Sequence, residues 1–180
     1  MSDPCHTSLL RAPGCTSSGG WLWSHQNPPA VDNELLPGKW MLFPRCGDAA
    51  PAWHSVAAAA HSGLIWCAKI AQHAGRTGHL ICVYTSDFTD LATVEDTVQH
   101  LADLGLIQRR VYYKPDIFTY AGIYAGSARG HGVASIYQFD PAERRMEVTA
   151  GLAYAQSLLA DARRASPRAR WNARRSAGRR

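Results

Sequence analysis

Two stretches, Leu64-Ile-Trp-Cys-Ala-Lys-Ile-Ala71 and His79-Leu-Ile-Cys-Val-Tyr-Thr85, decide the fold class together with the turn Arg76-Thr-Gly78 between them. The second is the stronger strand signal, because β-branched and aromatic residues suit a pleated, half-buried surface. Strands that follow one another across a short turn pair antiparallel, since a parallel pair needs a crossover of a dozen or more residues.

Working outward, Gly38-Lys-Trp-Met-Leu-Phe43 reads as a further buried strand, stopped by Pro44. The alanine-rich segment 51–61 is suited to a helix, with Pro51 near its first turn. Downstream, Thr93 is placed to cap a helix that shows Val94, Val98, Leu101 and Leu104 on one face and stops at Gly105. Strands are expected over 110–114 and 118–124, split by a Pro115-Asp116 turn, then over 133–139 and 145–149. Helical spacing returns over 151–165. The class is α+β, with a mostly antiparallel sheet and helices on one face.

The 180 residues suit one domain, placed at 21–161. Residues 1–20 read as an irregular leader and 162–180 as a basic, disordered tail. The net charge of +5 is unevenly spread. Eight arginines and no acidic residue fall within 162–180, so the rest of the chain stands at −3. A partner suggested by charge, nonspecific nucleic acid, therefore belongs to the tail. Five cysteines without C-x-x-C spacing argue for reduced thiols, with Cys67 and Cys82 as small core residues. No apolar run reaches 18 residues and the N-terminus has no signal-like stretch, which points to the cytoplasm. No Walker A loop, dinucleotide fingerprint, nucleophile elbow or H-E-x-x-H is present, and no metal or cofactor is expected.

Several ordered blocks carry a resemblance. Gly38-Lys-Trp-Met-Leu-Phe43, Trp53-x-x-Val56, Gly63-Leu64, Ala68-Lys-Ile70, Ile81-Cys-Val-Tyr-Thr85-x-Asp87-Phe88-x-Asp90 and Tyr113-Lys-Pro-Asp116-x-x-Thr119-Tyr120-x-Gly122-Ile-Tyr124 resemble the basophilic-leukaemia-expressed protein (Bles) family. The resemblance implies a curved antiparallel sheet backed by helices, like that of translation initiation factor 4E. Bacterial relatives carry a phosphothreonine-lyase label, which implies removal of phosphate by β-elimination from a phosphorylated peptide or small molecule. Where family members resemble one another in a late Pro-Thr-Ile-Tyr, this chain has Ala134-Ser135-Ile136-Tyr137.

That chemistry needs a base for the proton beside the carbonyl, cations for the phosphate and an acid for the leaving oxygen. The chain has three lysines, Lys39, Lys69 and Lys114, and each lies in a family-like block. Lys114, in Val-Tyr-Tyr-Lys-Pro-Asp116, resembles the catalytic base of the effector lyases, although snorkelling over tyrosines and pairing with Asp116 explains it structurally. Lys69 and Arg129 are candidates for the phosphate, with Lys39, Tyr84, Asp87 and Tyr120 lining the substrate site. His131, flanked by glycines, or His79 is the candidate acid. An Asx turn is the structural reading of Asp87, and a solvent-facing turn that of His79. The alternative function is a non-catalytic domain that binds a phosphorylated or nucleotide-like ligand, with Trp21 and Trp23 as exposed platforms while Trp40, Trp53 and Trp66 are buried. Deleting 162–180 is expected to leave the domain folded and to abolish retention on nucleic acid at low salt, measured by circular dichroism and filter binding.

Overall fold

A computed structural model describes residues 10–26, 33–75, 78–126 and 134–165 of the chain. Eight strands form a single sheet: β1 (Thr16–Ser18), β2 (Trp21–Ser24), β3 (Gly38–Leu42), β4 (Cys67–Ala71), β5 (Ile81–Thr85), β6 (Val111–Pro115), β7 (Tyr137–Asp140) and β8 (Arg145–Val148). Their spatial order is β1-β2-β4-β5-β3-β6-β7-β8, and every pair is antiparallel. The helices are α1 (Cys46–His61), α2 (Leu91–Asp103), α3 (Asp116–Tyr120) and α4 (Gly151–Arg164). The result is an α+β fold with a curved antiparallel sheet.

Side chains alternate across a strand, so each strand serves two faces. Leu22, Trp40, Leu42, Ala68, Ile70, Ile81, Val83, Val111, Tyr113, Tyr137 and Phe139 all turn to the main core. There they meet Trp53 and Val56 of α1, Val94, Val98 and Leu101 of α2, Phe118 of α3 and Leu159 of α4. Two polar groups in this core are paired: the Trp40 indole N–H donates to the Val94 carbonyl at 3.0 Å, and Ser24 Oγ donates to the Ala57 carbonyl at 2.8 Å, whereas the Trp53 indole N–H finds no partner among the described residues. Tyr113 leans across β3 so that its hydroxyl lies 2.5 Å from Thr85 Oγ1 on β5. Its ring occupies the space where a side chain on Gly38 would stand.

Some expectations are corrected. Residues 118–124 do not form a strand. Asp116 begins the short α3, its N–H donating to the Pro37 carbonyl at 2.7 Å, and the chain turns at Gly122 with φ of 71°. The cap of α2 is Asp90, whose carboxylate accepts from Thr93 N–H at 3.2 Å and Thr93 Oγ1 at 2.7 Å. Thr93 sits inside the first turn instead. The helix around Pro51 starts earlier, at Cys46. Part of the leader is built into the fold, since β1 pairs with β2 and Leu10 is buried in the core. Cys46 is disulfide-bonded, which overturns the expectation of uniformly reduced thiols. The basic tail loses its first residues to α4, and 166–180 lie outside the described residues. Among the described residues no helix is long and apolar enough to cross a membrane.

Gly38 is fixed by the Tyr113 ring, so Gly38→Ala must displace a buried aromatic side chain. We expect that substitution to lower stability by about 1–3 kcal/mol in urea unfolding, the range for overpacking.

Candidate functional site

The sheet register turns three lysines scattered through the sequence into neighbours. Lys39 on β3 stands opposite Tyr84 of β5 on one side and opposite Lys114 of β6 on the other. Lys69 on β4 stands opposite Cys82 of β5 and Trp23 of β2. All of these alternate with core residues and therefore occupy the face turned away from the core. Neighbouring strands are about 4.8 Å apart, which sets the spacing of the Lys39 and Lys114 backbones.

This open face has an apolar floor of its own. Cys67, Cys82 and Tyr84 are buried there, with Trp21, Trp23, Trp66 and Leu80 packed against them. The expectation that Cys67 and Cys82 belong to the core holds for burial but not for place, and Trp66 likewise joins this second cluster. Burial pushes the Cys67 thiol up to about 12, helped by the charge of Asp116. Burial also pushes Cys82 up to about 11, against the pull of Lys69. Both are therefore poor nucleophiles.

Each lysine is held differently. Lys39 donates to the Asp116 carboxylate and, at 3.3 Å, to Thr119 Oγ1, both supplied by α3. Lys69 Nζ lies 4.3 Å from the Trp21 ring centre, 4.7 Å from Trp23 and 5.4 Å from Tyr84, while the Trp23 and Tyr84 rings stack 6.0 Å apart. Aromatic faces at such distances attract a cation by roughly 0.5–2 kcal/mol. Burial nevertheless lowers the Lys69 pKa. Lys114 is 5% exposed, and its Nζ lies 3.6 Å from the Tyr124 ring centre. It has no hydrogen bond or ion pair among the described residues. Burial first, and the charge of Lys39 second, lower its pKa to about 8. Such a lysine exchanges its proton near neutral pH.

Of the residues expected at the site, Lys39, Lys69, Lys114 and Tyr84 come together. His79 does not join them: it is buried before β5, with Nδ1 2.8 Å from the Ala71 carbonyl oxygen. A solvent-facing turn is also the wrong picture for it. Asp87 accepts from Thr89 N–H at 2.8 Å and Thr89 Oγ1 at 2.7 Å, the local turn of its structural reading. Tyr120 is exposed on α3. Arg129 and His131 lie outside the described residues. Asp116 partners Lys39, not Lys114, because the α3 turn carries its carboxylate across to β3. Sequence reasoning missed the parts played by Asp116, Thr119 and Tyr124, which depend on α3 replacing the expected strand. Among the described residues no group of three His, Cys, Asp or Glu side chains is placed to hold a metal ion.

A family model described as Basophilic leukemia-expressed protein Bles03 matches residues 27–122. The chain belongs to this family. The matched Bles03 span runs from before β3 to the end of α3, and so contains all three lysines, Tyr84, Asp116 and Thr119. Of the rings beside Lys69 and Lys114, that of Tyr84 lies within the Bles03 match and those of Trp21, Trp23 and Tyr124 lie outside it.

The folded state lowers the Lys114 pKa, so the folded chain binds fewer protons than the unfolded one between about 8 and 10.5. The cost of that charge is complete below about 8 and fades as pH rises toward 10.5. Lys114→Met is therefore expected to raise the melting temperature at pH 7, by about 2–4 °C per kcal/mol gained. The gap from the wild type should close as the buffer approaches pH 10, a trend that calorimetry will follow.

Proposed function

We propose that the open face binds a phosphate ester and that Lys114 acts as the base of a cofactor-independent carbon–oxygen lyase. Its substrate would be phosphothreonine or phosphoserine in a peptide, or a small molecule with the same phosphate β to a carbonyl. The supporting observation is Lys114 facing Lys39 across adjacent strands. Like charges directly opposite one another destabilise a sheet, and groups with displaced pKa values cluster at functional sites.

In this reaction the neutral Lys114 amine takes the proton from the carbon beside the carbonyl. The freed electron pair forms the carbon–carbon double bond, and the β-carbon–oxygen bond breaks toward phosphate. Phosphate leaves with the bonding pair and is met by the ammonium groups of Lys39 and Lys69. Asp116 and Thr119 hold Lys39 in place, so its charge needs no rearrangement as the leaving group develops.

A second reading is a binding domain without turnover. It is favoured by the anchoring of Lys39 on a carboxylate and of Lys69 between rings, a fixed anion-recognising surface beside aromatic platforms. Mass spectrometry of phosphothreonine and phosphoserine peptides incubated with the purified chain separates the two. The lyase yields a dehydro product minus phosphoric acid, reduced at least about 100-fold in a folded Lys114→Ala variant, the scale of general-base loss. Peptide retention with no dehydro product overturns the lyase and leaves the binding domain.

A further inference from the structure

The three lysines differ in what neutralises them. Lys39 has a carboxylate and Lys69 has three rings. Lys114 has neither. Its side chain is 5% exposed, and among the described residues no acidic group pairs with it. Asp116, the nearest acidic residue in the chain, is committed to Lys39. The Tyr124 ring beside Lys114 Nζ accepts an N–H from a neutral amine as well as from a charged one. A desolvated amine next to a second cation is the arrangement in which lysine becomes a nucleophile toward carbonyl carbon.

We infer that Lys114 forms an imine with an aldehyde or ketone that carries a phosphate, the phosphate lying against Lys39. The inference rests on reading this face as a phosphate-binding one and is independent of the elimination step. The Lys114 Nζ lone pair adds to the carbonyl carbon, and a proton moves from nitrogen to oxygen. The carbinolamine then loses that oxygen as water, leaving a carbon–nitrogen double bond. No oxidant or reductant is needed. The apolar floor of Cys82, Tyr84 and Trp23 limits the access of water that would reverse the step.

The full chain is incubated at pH 7.5 with pyridoxal 5′-phosphate as the probe, reduced with borohydride, digested and mapped by mass spectrometry. The expected result is a single pyridoxyl group on Lys114, absent in Lys114→Arg. Inorganic phosphate should compete, and pyridoxal without phosphate should label roughly tenfold or more slowly, the loss of one charge-assisted contact. Lys39→Gln should slow labelling as well, by removing both the phosphate partner and a charge that favours the neutral form of Lys114. Label spread evenly over Lys39, Lys69 and the N-terminus overturns the inference. So does pyridoxal reacting as fast as its phosphate, an arm that uses the wild type and does not depend on a variant folding. Elimination from phosphothreonine peptides without an imine overturns this inference and leaves the lyase standing. An imine without elimination does the reverse.

Discussion

Everything on the open face depends on the pleat of one central strand. β3 lies between β5 and β6, with Trp40 pointing into the core and Lys39 pointing away. A slip of one residue in its register would send the lysine inward and expose one of the two largest fully buried side chains. The indole bond to Val94 and the bridge from Tyr113 to Thr85 over Gly38 oppose that slip. The hydrophobic core thus positions the lysines without touching them.

Charge on this face carries an energetic penalty that other elements offset. Two of the lysines face each other across β3 and β6, and a third lies over an apolar floor. Asp116 answers the charge of Lys39 because α3 begins immediately after β6, and the β2 tryptophans answer that of Lys69. Lys114 has the Tyr124 ring, 3.6 Å from its Nζ, but no carboxylate among the described residues. Burial beside Lys39 lowers its proton affinity, and the proposed chemistry uses that asymmetry.

Much of this was legible in the sequence. The β4–β5 pair, the strand at Lys39, the helix that Gly105 terminates and the α4 helix follow from composition, periodicity and turn residues. So does the scarcity of lysine that drew attention to Lys39, Lys69 and Lys114. What stayed hidden was long-range pairing. Nothing in Trp21-Leu-Trp23 announces that β2 will lie beside β4 and set Trp23 opposite Lys69. Phe118 to Tyr124 looked like a strand because aromatic and β-branched residues favour one. Burial of Ile117 and Phe118 on α3 prevailed over that preference and moved Asp116 and Tyr124 into place. The burial of His79 was hidden for a related reason, since its Nδ1 is engaged by a backbone carbonyl of the neighbouring strand.

The two rims of the sheet have a consequence for the molecule's behaviour in company. An unpaired rim is a template on which another polypeptide can add a strand. Here one rim is the three-residue, wholly exposed Thr-Ser-Ser of β1. The other is β8, where Arg145 bridges Glu143 and Glu147 at 2.8 and 2.5 Å. Brevity at one margin and fixed charge at the other make strand addition to the described sheet unfavourable.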